Sequence, residues 1–164
     1  MSLENISTGF NRRRFLAASA IAGAGLVLAP RGLNAQSANV SSNRKPGDKL
    51  NVAVVGCGAQ GQVLLQSLYD VLKDEKIGVN LKAVCDIWNY NLKQAVTRSR
   101  KNGYTETEGY NDFEDMLAAQ KDLDAVFVAT PDFWHARHTN AALKDGKHVY
   151  CEKMMARTVD EARS

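Results

Sequence analysis

From residue 50 onward, short apolar runs alternate with longer segments that carry apolar residues on one side only. The runs at residues 50–55, 79–85 and 124–129 are short and rich in valine, which is typical of strands. The run DAVFVA at 124–129 is apolar without interruption, as in a strand covered on both faces. The segment GKHVYC at 146–151 predicts a helix that ends at a glycine, followed by a fifth strand.

The segments between these runs have the periodicity of helices. In residues 60–73, Leu64, Leu68, Val71 and Leu72 fall at i, i+4, i+7 and i+8, which is one helical face. Further helices are predicted at 91–101, at 112–119 with Phe113, Met116 and Leu117 on one side, from about Trp134 to about Leu143, and from the capping-box sequence at Thr158. This alternation predicts an α/β fold whose parallel strands are joined by right-handed crossovers.

A glycine pattern follows the first run directly. Gly56, Gly58 and Gly61 have the spacing G-x-G-x-x-G, with Ala59 and Gln60 inside it. The first glycine permits a tight turn, the second lets the backbone approach a pyrophosphate, and the third allows close packing of helix on strand. The following helix presents its positive end to the phosphates. We therefore predict a Rossmann-type, doubly wound sheet with a dinucleotide at this turn.

Asp86 ends the second run and lies 25 positions beyond Gly61. A carboxylate there is placed to accept hydrogen bonds from the adenosine ribose, and its charge favours NAD over NADP. The alternative is a solvated residue that caps the next helix.

Thr130 and Pro131 end the central strand at its carboxyl end, which is the edge where ligands of such sheets bind. We therefore predict that Thr130 and Pro131 lie at the cofactor edge, and that the nearby His135 belongs either to the helix surface or to that edge. His135 and His138 could suggest a metal pair, but two histidines without a third ligand do not close a zinc site. No metal is predicted.

Glu152 and Lys153 follow the fifth strand and reach the same edge. A lysine near the cofactor could act in proton transfer if its surroundings adjust its pKa. The alternative is a surface salt bridge between the two neighbouring charges.

The N-terminus has the features of an export signal. Arg12 and Arg13 open a twin-arginine run, a moderately apolar stretch follows at 15–29, and Ala35 is a suitable residue before the cleavage point. Residues 1–35 are therefore predicted to be a twin-arginine signal peptide that directs the protein to the periplasm. The alternative is a cytosolic protein with a basic helical N-terminus. Residues 36–48 are predicted to be a flexible linker, and residues 49–164 the nucleotide-binding domain.

Removal of the predicted export signal changes the net charge of the protein. The chain has 21 basic and 18 acidic residues, and removal of residues 1–35, with four arginines and one glutamate, leaves 17 of each. No basic surplus remains to bind nucleic acid. Three cysteines without paired spacing argue against a disulfide framework.

The motifs GCGAQG, CD, VFVATPDFWH and GKHVYCEK occur in that order. In this they resemble the N-terminal half of the oxidoreductase family named for glucose-fructose oxidoreductase, inositol dehydrogenase and MocA. The resemblance implies a Rossmann domain that binds NAD or NADP and a sugar or cyclitol substrate. It also implies a second α/β domain, beyond residue 164, that carries substrate and homo-oligomer contacts. The chain is accordingly expected to be a fragment, truncated before that domain.

Residue by residue, the resemblance assigns the three glycines to pyrophosphate and Asp86 to ribose. It brings Glu152 and a catalytic Lys153 to the nicotinamide, with further catalytic residues in the second domain. Met154 stands where the family usually has proline, so a trans bond is expected before it. Two alternatives remain: an NAD-dependent glycoside hydrolase of the same superfamily, whose members tend to lack the lysine, and a nucleotide-binding protein without turnover.

Overall fold

The computed structural model describes residues 48–71 and 78–164. The predicted signal peptide, residues 36–47 of the predicted linker, and the last two positions of the first predicted helix lie outside the described residues. In the part that is described, no helix is long and apolar enough to cross a membrane.

The sheet has five parallel strands in the order β3-β2-β1-β4-β5. The strands are β1 (Leu50–Val55), β2 (Val79–Cys85), β3 (Glu108–Tyr110), β4 (Ala125–Val128) and β5 (His148–Cys151). The predicted parallel α/β sheet is thus confirmed. The chain runs outward from β1 to β3 and then returns to β4, so the strand order reverses beside β1.

The helices between the strands begin and end within about two residues of the predicted bounds. They are α1 (Ala59–Val71), α2 (Asn89–Lys101), α3 (Phe113–Ala119), α4 (Asp132–Lys144) and α5 (Val159–Arg163). Asp112 caps α3 by accepting a hydrogen bond from the Asp115 amide, and Thr158 and Glu161 form the predicted capping box of α5. Gly146 follows α4 with φ +77°, which is the glycine stop that the sequence predicted.

Two hydrophobic clusters lie on opposite faces of the sheet. Val52 and Val54 of β1 pack with residues of α1 and α2, whereas Ala53 and Val55 pack with residues of α3 and α4. Successive residues of a strand point to opposite faces. A strand with four consecutive buried residues therefore serves both clusters, and the sheet is covered on both sides.

The buried face of α1 differs from the predicted one. Leu64 and Val71 are only half-buried, and the buried residues are Gly61, Leu65, Leu68 and Tyr69. The helix is rotated by about one position because Gly61 faces the backbone of the preceding turn. A Cβ at Gly61 would lie 1.9 Å from the Gly56 carbonyl oxygen. The sequence predicted this contact but not its effect on the orientation of the helix.

β3 was not located in the sequence. It has three residues, Glu108, Gly109 and Tyr110, of which the first two are exposed. A strand this short at the edge of a sheet shows no apolar run. Gly109 lets α2 approach the strand, since a Cβ there would lie 2.8 Å from Cγ2 of Val96.

We expect Gly61→Ala to lower the free energy of unfolding by about 1–3 kcal/mol or more, because the methyl group must displace backbone rather than a flexible side chain. Gly58→Ala is the matched control, since the nearest atom to its added Cβ is 3.9 Å away. Urea unfolding of the full-length protein compares the two. Equal stability of the two variants would contradict the close packing at Gly61.

Candidate functional site

The glycine turn lies between the ends of β2 and β4. Gly56 has φ +86°, and its amide donates to the Cys85 carbonyl oxygen at 2.8 Å. On its other side, a Cβ at Gly56 would lie 2.6 Å from the Ala129 carbonyl oxygen. A side chain is therefore excluded there both by conformation and by space.

Past the turn, the chain opens toward the carboxyl edge of the sheet. Gly58 has free space around its Cα, and Ala59 and Gln60 are exposed in the first turn of α1. The first amides of a helix have no acceptor within the helix and carry its positive dipole. This segment has the features of an anion-binding helix start.

Asp86 connects this turn to the next helix. Its Oδ2 accepts from the Cys57 amide at 2.8 Å, and its Oδ1 accepts from the Trp88 amide at 2.8 Å. The Asn91 side chain also donates to Oδ2, at 3.4 Å. The capping alternative is not confirmed: the N-cap residue of α2 is Trp88, whose amide donates to Asp86, and Asp86 is half-buried rather than solvated. A carboxylate has about four lone-pair directions, so capacity remains for a ribose hydroxyl.

A cleft of about 340 Å³ lies at the carboxyl edge, in front of the glycine turn. The segments after β2, β3 and β4 form its walls, at residues 86–87, 111–114, 130–131, 133–134 and 137–138. Gly56, Asp86, Thr130 and Pro131 all line it. The structure therefore brings together four of the predicted cofactor residues around one cavity where the strand order reverses.

Aromatic side chains that the sequence analysis did not assign to the site form one wall. Trp134 and His138 are stacked, with ring centroids 5.4 Å apart and planes 9° apart, and Arg137 lies 4.9 Å above the Trp134 ring. Phe113 contacts the His138 ring from α3, and Glu114 holds Arg137 in an ion pair of 2.7 Å. These residues could have been assigned to the site because they directly follow β3 and β4, but β3 was not located in the sequence.

His138 is held in place by Thr130, whose Oγ1 lies 3.2 Å from Nδ1. Burial lowers the pKa of His138, and the nearby Glu114 partly opposes that shift. A ring that stays neutral and stacked is suited to contact with a planar base.

His135 lies behind the cleft and not on its surface. Its side chain is only 2% exposed, and both ring nitrogens face backbone carbonyls. Nε2 lies 2.7 Å from the Thr130 oxygen, and Nδ1 lies 2.7 Å from the Met154 oxygen. The residue thus contacts both loops at the cofactor edge without reaching the cavity.

Glu152 is joined to the glycine turn across the sheet. Its Oε1 accepts from Gln60 Nε2 at 2.7 Å and from the Tyr150 hydroxyl at 3.2 Å. The pKa of Glu152 lies below its ordinary value, chiefly because the bond from Gln60 stabilises the ionised carboxylate. Two residues predicted separately, from the first and last motifs, are therefore in direct contact.

Lys153 follows with an exposed side chain. Among the ion pairs of the described residues there is none between Lys153 and Glu152, so the alternative of a local salt bridge is not seen. The expectation of a trans bond before Met154 was wrong, since the Lys153–Met154 bond is cis. The Met154 carbonyl, held by His135, fixes the chain beyond this bond.

The cysteines do not supply chemistry to the site. Cys57 and Cys85 are buried, and burial followed by the charge of Asp86 raises the pKa of Cys57 far above its ordinary value. The pKa of Cys85 is raised to about 12, again chiefly by burial. Both thiols stay protonated, so they are poor nucleophiles. Within residues 48–71 and 78–164, no group of three or more His, Cys, Asp or Glu side chains is placed to hold a metal ion.

The sequence is similar to those of known proteins. A glycosyl hydrolase family 109 protein from Shewanella baltica (strain OS155) is 32% identical over 166 residues, covering 92% of this chain and 35% of that protein. The chain thus spans about a third of the length of the curated relatives it matches.

Two solved structures are similar in fold. The WlbA dehydrogenase from Chromobacterium violaceum, in complex with NADH and UDP-GlcNAcA, has a TM-score of 0.60 at 32% identity, covering 70% of this chain and 30% of that one. Myo-inositol 2-dehydrogenase from Lactobacillus plantarum has a TM-score of 0.58 at 29% identity, covering 70% and 31%.

Residues 50–164 match a family described as "Oxidoreductase family, NAD-binding Rossmann fold". The match begins at β1 and includes the glycine turn, the cleft and the Glu152–Lys153 segment. The chain therefore belongs to the Gfo/Idh/MocA oxidoreductase family, and its described part has that family's NAD-binding Rossmann fold.

Proposed function

We propose that this chain is the nucleotide-binding part of an exported oxidoreductase that uses NAD to oxidise a hydroxyl-bearing carbon of a sugar or cyclitol. The observation that carries the proposal is the contact between Gln60 and Glu152. It brings the pyrophosphate turn and the Glu152–Lys153 segment to one edge of the sheet, on the same side as the cleft.

The residues present fit NAD. Gly58 leaves room for phosphate close to the backbone, the first turn of α1 offers amides, and Asp86 retains acceptor capacity for a ribose hydroxyl. The stacked Trp134 and His138 offer a flat surface for the adenine in the cleft. Glu152, at the far end of the glycine turn, is placed for the ribose of the nicotinamide half. NAD, when bound, supplies the acceptor for a hydride.

Oxidation of an alcohol breaks the C–H bond at the reacting carbon and the O–H bond of its hydroxyl. The C–H bond gives up its electron pair with the hydrogen as hydride, and the hydroxyl gives up a proton while the carbonyl forms. Lys153 is proposed to orient that hydroxyl and to relay its proton. Glu152 accepts from Gln60 and Tyr150, and among the ion pairs of the described residues there is none between its carboxylate and the lysine ammonium.

The substrate class is supported by two similar structures. One of those proteins is named for myo-inositol, and the other was solved with UDP-GlcNAcA. Both molecules carry secondary hydroxyls on a six-membered ring. The substrate contacts, a homo-oligomer interface and the partners of Lys153 in catalysis are proposed to lie in a second domain.

Glycoside hydrolysis with transient oxidation by bound NAD is the second candidate. The names of the curated relatives favour it, since several are glycosyl hydrolase family 109 proteins that match 92% of this chain. Lys153 favours the dehydrogenase. Incubation of the full-length protein with a glycoside distinguishes the two: net NADH formation supports the dehydrogenase, whereas sugar release without net NADH supports the hydrolase.

Cofactor preference tests the role of Asp86. Asp86→Asn keeps acceptors for the Cys57 amide but removes the charge that repels a 2′-phosphate. We expect the ratio of NAD to NADP affinity to fall by about tenfold or more, which corresponds to about 1.4 kcal/mol of removed repulsion. Calorimetry of the full-length protein measures both affinities.

The matched control is Asp122→Asn. Asp122 precedes β4 at the opposite, amino edge of the sheet, where it pairs with Lys82 at 3.4 Å. Its removal should leave the ratio unchanged. Tighter binding of NADP than NAD by the unmodified protein would refute the predicted preference.

Turnover tests the role of Lys153. Lys153→Ala should lower kcat at least about a hundredfold, within the 10² to 10⁴ range of general acid–base catalysis, while NAD affinity changes little. Stopped-flow measurement of NADH formation with saturating NAD provides both values. Lys144→Ala, at the far end of α4, is the control. Full turnover in Lys153→Ala would leave Lys153 as a surface charge.

The proposed export depends on Arg12 and Arg13. Replacement of both by lysine should leave the precursor in the cytoplasm, because the twin-arginine route requires the arginine pair. Arg31→Lys, beyond the apolar stretch, should be exported normally. Fractionation and immunoblotting measure the distribution. Export of the double-lysine variant at the normal rate would show that another route is used.

A further inference from the structure

The strongest unused feature is the pair of contacts made by His135. Its imidazole lies between two loops at the carboxyl edge, with Nε2 2.7 Å from the Thr130 oxygen and Nδ1 2.7 Å from the Met154 oxygen. Thr130 follows β4 and lines the cleft, whereas Met154 follows β5 and is the next residue after Lys153. A single buried ring therefore bridges the segment at the cofactor edge and the segment with the lysine.

The partners of this ring determine the direction of its hydrogen bonds. A backbone carbonyl oxygen accepts hydrogen bonds and cannot donate them, so any hydrogen bond between His135 and either carbonyl is donated by a ring N–H. His135 is 2% exposed, so water does not compete for these contacts. The imidazole therefore connects the two loops without the help of solvent.

The bridge matters because it holds the backbone next to Lys153. Lys153 is exposed, and its side chain makes no ion pair among the described residues, so nothing on the side chain itself fixes its direction. The backbone on one side is held by β5, where the Glu152 amide donates to the Val128 carbonyl oxygen at 3.0 Å. On the other side, His135 holds Met154.

We propose that His135 is a positioning residue for Lys153: its buried imidazole, in contact with the Thr130 and Met154 carbonyls, fixes the segment after β5 to the loop after β4 and so sets where the lysine side chain begins. The proposal rests on the catalytic role proposed above for Lys153.

The kinetic test uses His135→Gln in the full-length enzyme, because glutamine keeps one donor group but cannot bridge two opposed carbonyls. We expect kcat to fall about tenfold to a hundredfold, the effect of a reacting group misplaced by about 1 Å, with NAD affinity within twofold of the unmodified enzyme. His148→Gln is the matched control, since His148 is exposed at the amino end of β5.

A double variant separates positioning from general loss of structure. If His135 acts through Lys153, His135→Gln combined with Lys153→Ala should be no slower than Lys153→Ala alone. Losses that multiply would overturn the proposal. If Lys153→Ala lowers kcat but His135→Gln leaves kcat normal, this inference alone is overturned. If Lys153→Ala itself leaves kcat normal, the proposed function is overturned.

A spectroscopic measurement needs no variant to fold. In the unmodified protein, ¹⁵N-labelled histidine should give a slowly exchanging ring N–H signal from His135, as expected for a buried N–H that donates to a backbone carbonyl. A His135 ring N–H that exchanges with solvent as fast as that of the exposed His148 would overturn the bridge whatever the kinetics show.

Discussion

The close approach of α1 to the turn that precedes it is the constraint on which this structure depends. Gly61 touches the Gly56 carbonyl, and Gly56 in turn is enclosed between the ends of β2 and β4. This contact sets the rotation of α1, so that Leu65, Leu68 and Tyr69 face the sheet. It also aims the first turn of the helix at the carboxyl edge, where the cleft opens. Packing and binding are thus determined by the same few backbone atoms.

The cofactor edge is organised by contacts between loops that are distant in sequence. Asp86 joins the glycine turn to α2, Gln60 joins it to Glu152, and His135 joins the loops after β4 and β5. Each connection uses a side chain from one motif and a group from another. The motifs found along the sequence are therefore parts of one hydrogen-bonded edge and not separate sites.

Much of this could be predicted from sequence, because strands buried on both faces and glycine-rich turns leave strong local patterns. The runs at β1, β2 and β4, the capping box at Thr158 and the glycine stop at Gly146 are of this kind. What could not be predicted depends on contacts between distant segments. The face of α1 follows from a backbone contact, β3 is too short to show a pattern, and the two partners of His135 lie in different loops.

Cys57 belongs to the hydrophobic cluster on one face of the sheet, and Cys85 belongs to the cluster on the other. Both cysteines are free and buried, so neither thiol is open to an oxidant in solvent while the domain is folded. The raised pKa of each also suppresses the thiolate that would begin an exchange reaction. The covalent structure of the core is therefore the same in reducing and oxidising surroundings, and a domain that folds in one compartment can work in the other without remaking a bond.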